Sequence, residues 1–320
     1  MDVGTLLRWV DRYQRAHRWL ALPFGVAKRF GESGAGLLAA AMAYYGFFSL
    51  FPLLMVLASI AGLVLKGRVD LQEQLVRSAL SQFPVIGTEI RVGSIEGSGV
   101  AVAVGLGLAL WAGLGAVRAT QVAMDTVWDV PRKRRPGMPK SIGRASLMLV
   151  ILGVFVVGAA VLSGAAAGAT GAWEVTLSLL GSVVLNVVMF AVAYRLLTSA
   201  SLVWRDVLPG AALAGVAWTA LLAAGGWIIE ERIASASDVY GTFALVIGLL
   251  FWIYLGAQIT LIGAELNVVL AERLWPRSLQ GSDVTDADER ALRRSARQEE
   301  RRDEETVTVA FETSPPDPVD

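Results

Sequence analysis

VAVAVGLGLALWAGLGAV, residues 100–117, contains no charged side chain, and LMLVILGVFVVGAAVL, residues 147–162, is equally free of charge. About 20 mostly apolar residues in a helix are enough to cross the hydrocarbon core of a bilayer. Working outward from these two stretches, six apolar runs appear at residues 37–65, 99–117, 145–168, 175–194, 207–229 and 239–270. The second helix is expected to continue to about residue 130, and the last run is long enough to tilt. The expected fold class is all-α: a polytopic membrane protein with a six-transmembrane-helix bundle. Composition agrees. Apolar residues make up 55% of the 320-residue chain and charged residues 18%, against soluble averages of roughly 45–50% and about 25%. The mean hydropathy is +0.56.

Basic residues set the orientation, because short cytoplasmic segments collect Lys and Arg. The segment before the first run carries six and the segment after the second run seven. The segment after the fourth carries two and the tail eight. The intervening segments carry four, none and one. With both termini in the cytoplasm, 23 basic residues lie inside and five outside. The expected location is therefore a bacterial inner membrane, crossed several times. Trp128, Trp173, Trp204, Trp227 and Trp275 fall within a few residues of run ends, where amphipathic rings favour the headgroup region. No cleavable leader is expected, and the first run is expected to act as an uncleaved signal.

Three sections follow from this layout: a cytoplasmic amphipathic segment at residues 1–36, a transmembrane domain at 37–274, and a charged, largely disordered cytoplasmic tail at 275–320. Between residues 5 and 20, Leu6, Trp9, Val10, Tyr13, His17 and Leu20 share one helical side, with Arg8, Arg12, Arg15 and Arg18 opposite. That pattern suits a helix on the cytoplasmic leaflet, in contact with anionic lipid, or one packed beneath the bundle. Pro23 is expected to end it. A second amphipathic pattern, Leu71, Leu75, Val76, Leu80 and Phe83, reads as a short helix on the outer face. In the tail, Glu289 and Arg293 are spaced for a helical ion pair.

Ionisable groups inside the runs are the strongest functional pointers, since a charge at a helix centre costs roughly 2.5–3.5 kcal/mol on insertion scales. Arg118, Gln121 and Asp125 lie along one side of the second helix, and Asp129 continues the line. Tyr254, Gln258 and Glu265 do the same in the sixth. In the first run, Tyr45 and Ser49 share a face with Pro52, where a kink is expected. Two readings stand side by side. The stripes line a cytoplasm-facing polar path for a headgroup or solute, or they are interhelical contacts, with Arg118 paired to Glu265 or Asp125. Gly164 and Gly168, and Gly105, Ala109 and Gly113, have the spacing of close helix packing.

Other chemistries find little support. The chain has no cysteine and one histidine, which excludes thiolate metal sites and disulfides. A net charge of zero gives no basic field for nucleic acid. Walker, zincin, nucleophile-elbow and dinucleotide-binding motifs are absent from the sequence, so neither cofactor nor metal is expected. Membrane lipid is the expected partner, and a homo-oligomer is compatible with the sequence.

AAAMAYYGFFSLFPLLMVLASIAGLVL (residues 39–65), WDVPRKRRP (128–136), LPGAALAGVAWTALLAAGGWII (208–229) and YGTFALVIGLLFWIYLGAQITLIGAELNVVLAERL (240–274) together resemble the YihY/virulence factor BrkB family of bacterial inner-membrane proteins. The likeness runs from about residue 37 to 274. Tyr44, Tyr45, Ser49, Pro52, Trp128, Tyr240, Gly241, Glu265 and Asn267 match its recurring motifs. The resemblance implies links to serum resistance and to traffic of envelope lipid or lipopolysaccharide. It also brings an older label, ribonuclease BN, which the residues do not support. The expected function is transport or flipping of an envelope lipid or amphiphile. A non-transporting scaffold is the alternative, and a membrane-bound ribonuclease for transfer RNA ranks last.

Overall fold

The structure, a computed structural model, describes residues 3–64, 99–167, 171–228, 234–279 and 284–311. The amphipathic pattern at 71–83 and Gly168 lie outside the described residues. Among those described there is no strand, and nine α-helices are present. They are α1 Val3–Ala16, α2 Arg18–Glu32, α3 Ala35–Val64, α4 Gly99–Val127, α5 Met138–Ala167, α6 Ala172–Leu197, α7 Trp204–Ile228, α8 Ala234–Ala271 and α9 Asp286–Arg297.

Helices α3 to α8 pack as a closed ring in the order α4, α3, α8, α7, α6, α5 and back to α4. Among the described residues, four segments are long and apolar enough to cross a membrane: Met138–Ala159, Trp173–Leu197, Trp204–Gly225 and Val246–Ala271. A fifth arises if α2 and the first half of α3, bent by 66°, are taken as one broken span. Among the described residues, the core gathers at one end of the ring. Ala35 and Ala39 begin α3 there, Met124 and Val127 end α4, Tyr194 and Leu197 end α6, Val207 and Ala211 begin α7, and Leu261 and Val268 belong to the last turns of α8. Both chain ends lie at this same end: Gln14 Nε2 donates to the Arg277 carbonyl at 2.6 Å, and Leu279 N–H donates to Asp11 Oδ1 at 2.8 Å.

Close helix contact is achieved between α7 and α8. A Cβ on Gly210 of α7 would stand 1.9 Å from the Gly263 carbonyl oxygen of α8, so the two backbones touch. Small residues permit such approach, and Gly263, Ala264 and Ala214 supply it here.

Two expectations are corrected. Pro23 does not end the N-terminal helix. The break comes at His17, whose extended backbone (φ −117°, ψ 110°) separates α1 from α2, and Pro23 sits inside α2. Helix α3 passes through Pro52, and a sharp bend of 66° lies upstream of it. It falls at Ser33–Gly34, where Gly34 adopts φ +66°, a left-handed conformation that costs glycine little. The tail between residues 284 and 311 is not loose. A capping box at Thr285 and Asp288 starts α9, and Ala287, Asp288 and Ala291 are buried against the bundle.

Candidate functional site

The buried charges collect where the two chain ends meet. Helix α4 closes with Asp129 N–H on the Thr126 carbonyl and Val130 N–H on the Asp125 carbonyl, the two bonds of a Schellman terminus. The left-handed position in that motif is usually glycine, yet here it is Asp129, φ +50°. Pro131 then stops the helix. The turn therefore projects a carboxylate at a position that would ordinarily carry no side chain. Its Oδ2 meets Arg29 Nη2 at 2.7 Å and Arg294 Nε of α9 at 3.4 Å.

Arg29 is the centre of this cluster. It comes from the face of α2 that also buries Ala21, Gly25 and Val26. Its guanidinium donates to the Val127 carbonyl at 2.9 Å and stands 3.5 Å from Glu265 Oε2. Glu265, fully buried, accepts from Ser33 Oγ at 2.5 Å. The carboxylate thus ties α8 to the bend between α2 and α3. A second hub lies alongside. Asp288 takes Lys28 Nζ at 2.8 Å, Arg277 Nε at 2.5 Å and Ser278 N–H at 3.0 Å. Burial pushes the Asp288 carboxyl up, but the hydrogen bonds from Lys28, Arg277, Thr285 and Ser278 outweigh it and hold the group well below its ordinary value.

The predicted stripe on α4 is spread over different partners. Arg118 pairs with neither Glu265 nor Asp125; its Nη2 lies 2.8 Å from Met138 Sδ at the start of α5. Gln121 exchanges two hydrogen bonds with Ser141, at 2.5 and 3.1 Å. Asp125 is held by Ser199 N–H at 2.6 Å and Ser199 Oγ at 2.9 Å, which pins the loop between α6 and α7. Each polar group on this stripe thus joins α4 to a neighbour. Asn267 has the same kind of duty, its Oδ1 accepting Gly210 N–H at 2.6 Å. Trp128 is buried in the core.

The middle of the bundle differs. Gln258 Nε2 donates to Tyr254 Oη at 3.0 Å, and both side chains are only partly covered. Tyr45 and Tyr44 of α3 are exposed; the Tyr45 ring lies against Gly115 of α4, and Tyr44 stacks near Phe48 at 4.9 Å. Ser49 turns back onto the Gly46 carbonyl at 2.8 Å. Pro52 is partly buried. Tyr240 and Gly241 belong to the first turns of α8, and their surroundings lie outside the described residues, as do those of Gly105, Ala109 and Gly164. Among the described residues no three His, Cys, Asp or Glu side chains are grouped to hold a metal ion.

Arg29 was missed by the sequence reading, which counted it only as a cytoplasmic charge. The available signal is its place on the small-residue face of α2, with Gly25 and Val26 four and three positions before it. Arg277 and Asp288 give no sequence signal of their own, because a charged, polar tail reads as solvated.

The chain matches the sequence profile of the family described as virulence factor BrkB over residues 26–287. It is 25% identical to a UPF0761 membrane protein of Photobacterium profundum over 284 residues, 82% of this chain and 84% of that one. A UPF0761 membrane protein of Ralstonia nicotianae is 28% identical over 177 residues, 52% of this chain and 39% of that longer protein. The ribonuclease-like protein YfkH of Bacillus subtilis is 24% identical over 255 residues, 73% of this chain and 90% of that one. No solved structure matches. With the profile covering most of its length, the apolar helical ring and the buried motif GAELN on α8, this chain belongs to the virulence factor BrkB family of membrane proteins.

Proposed function

We propose that the protein crosses a bacterial inner membrane six times, with both termini in the cytoplasm, and that it moves an envelope lipid or related amphiphile between leaflets. The joined position of the two chain ends and the basic segments supports the orientation. The observation that carries the transport reading is the Tyr254–Gln258 pair. Tyr254 falls at the middle of the apolar run at residues 239–270, and Gln258 stands one turn nearer the end where the chain termini meet. An amide facing lipid tails at that depth is costly. A partly covered pair of this kind suits a path that a polar headgroup visits. Tyr45, exposed in the first half of α3, is assigned to the same path.

The charged stripe on α4 has a smaller part in this reading than its sequence suggested. Arg118, Gln121, Asp125 and Glu265 hold elements together, so the path is assigned to Tyr254, Gln258 and Tyr45. A scaffold acting through the tail is less well supported, because residues 286–311 are engaged with the protein's own loops. Arg132 N–H donates to the Gln298 carbonyl and Lys133 N–H to the Glu300 carbonyl, at 3.2 and 3.0 Å.

The test is reconstitution into vesicles of phosphatidylethanolamine and phosphatidylglycerol carrying a headgroup-labelled phospholipid. A quencher added outside should reach inner-leaflet label in protein-containing vesicles and not in empty ones. Equal protection in both would defeat the transport reading for phospholipid. The ribonuclease-like name of the Bacillus relative suggests a parallel assay with extended transfer RNA, for which no trimming is expected.

A further inference from the structure

Helix α1 is amphipathic in the reverse sense to a helix of a soluble protein. Its polar side is the one that is docked. Asp11 and Gln14 are each 5% exposed. Gln14 bonds both Asp11 and the Arg277 carbonyl, Asp11 accepts Leu279 N–H, and Arg15 is paired with Asp11. Its aromatic side is turned away from the protein: Trp9 is 58% exposed, Tyr13 43% and Val10 39%.

Helical geometry shows how complete the separation is. At 100° per residue, Arg12, Ala16, Trp9, Tyr13 and Val10 occupy one continuous arc in that order. Gln14, Asp11 and Arg15 fill the remainder. Every member of the first arc is exposed, and every member of the second is buried or partly so. The rings are ordered against each other, Trp9 stacking on Tyr13 at 5.5 Å and Tyr13 tilted against His17, just beyond the helix, at 4.2 Å. In water this arrangement would leave an apolar strip uncovered while polar groups are buried, the opposite of what the hydrophobic effect favours.

Two more large apolar side chains at the starts of the next helices are exposed as well. Trp19, at the start of α2, is 67% exposed, and Leu37, at the start of α3, is 83% exposed. The 66° bend between α2 and α3 lays α2 nearer the membrane plane than its normal when α3 crosses upright. The cations are placed to match. Arg12 borders the aromatic arc and is exposed. Arg18 follows at the junction with α2, its guanidinium 5.6 Å from the Trp275 ring. An exposed aromatic strip edged by arginine suits the acyl–headgroup boundary of an anionic leaflet.

We propose that α1 is a lipid-docked helix: Trp9, Val10 and Tyr13 enter the leaflet on the side of the chain termini, and Arg12 meets anionic headgroups at its edge. The C-terminal segment, through Arg277 and Leu279, fixes the helix in the rotation that presents this face. This role does not depend on whether the bundle transports anything. It refines the arginine set expected from sequence, since Arg15 is turned inward to Asp11.

The chain has no cysteine, so Val10→Cys, Tyr13→Cys, Arg12→Cys and Arg301→Cys each give a single spin-label site without further changes. All four positions are exposed, so the full-length variants should fold. The measurement is collisional accessibility to oxygen, which enters lipid, and to a water-soluble nickel complex, in vesicles of phosphatidylcholine with or without phosphatidylglycerol. Labels at positions 10 and 13 should be open to oxygen and shielded several-fold from nickel, relative to the label at 301. Removing phosphatidylglycerol should raise nickel access at position 12. Nickel access at 10 and 13 equal to that at 301 would overturn the proposal, as would shielding from both reagents, which would mean a protein cover such as a second copy. An accessibility at 12 that ignores lipid charge would overturn the anionic part.

Discussion

The terminal end of the helical ring and its middle use polar residues in opposite ways. At the terminal end, Arg29, Asp129, Glu265, Arg277 and Asp288 are all buried, and each has a charged partner on a different element. At mid-span, the Tyr254–Gln258 pair is internal to one helix and partly open, and Tyr45 is exposed with it. Charge at the terminal end joins elements that apolar packing alone leaves underdetermined. The Tyr254–Gln258 hydrogen bond stays within α8, unlike the Asn186 amide, which donates to Thr219 Oγ1 at 3.1 Å and joins α6 to α7, so helix packing accounts for the second and not for the first. The comparison separates residues that hold the ring from residues available to a ligand.

The sharpest way to break this division is at Arg29 or Glu265. Removing one member of a buried pair leaves the other uncompensated, at a cost of about 3–5 kcal/mol. Arg29→Ala and Glu265→Ala should each lower the melting temperature in detergent by a wide margin. Values near that of the native protein would mean that the cluster does not hold α2 against α8.

A backbone contact should come next. Gly210→Ala places a methyl group against the Gly263 carbonyl oxygen, and overpacking of this kind costs about 3 kcal/mol when the obstacle cannot rotate away. The same melting assay reads it, and an unchanged midpoint would show that α7 and α8 can part at little cost.

The docked tail gives a smaller effect with a pH signature. The folded Asp288 carboxyl lies below its ordinary value, so its contribution is full above about pH 4 and is lost as pH falls further. Asp288→Asn removes charge-assisted hydrogen bonds worth about 2 kcal/mol and should speed tryptic cleavage within α9 at neutral pH. Cleavage of the native tail that is equally fast at pH 5 and pH 3.5, with an acid-active protease, would contradict the assignment.

Gln258→Leu should have the smallest effect on stability, within about 0.5 kcal/mol, because its one partner is Tyr254 of the same helix. A large loss of stability would move Gln258 into the group that holds the ring.

The sequence exposed the helices well because hydrophobic length is a local property: residues 145–168 and 175–194 fall within α5 and α6, apart from one residue at the end of the first. The basic segments also foretold that the chain ends and the 128–144 loop belong together, since Lys and Arg distribution reports sidedness without three-dimensional information. The partners of the charged residues were not legible. Asp125 and Asp129 are four positions apart in sequence, yet one holds Ser199 and the other Arg29, 74 and 100 positions away. Periodicity places a side chain on a face and says nothing of what faces it. Arg29 and Asp288 were hidden for a related reason, because charged residues near a terminus read as solvated until something is docked over them. The Asp129 turn was misread as a continuation of the helical stripe, because aspartate seldom takes the left-handed cap position that glycine normally fills.

The most direct test of the division is to measure melting temperature and lipid translocation together for Glu265→Gln and Gln258→Leu. Translocation is expressed per folded protein in the vesicle assay. The account predicts a crossover: Glu265→Gln melts early but translocates at the native rate while folded, and Gln258→Leu melts with the native protein but does not translocate. Loss of translocation in well-folded Glu265→Gln, with native activity in Gln258→Leu, would contradict it and place the path through the charged cluster.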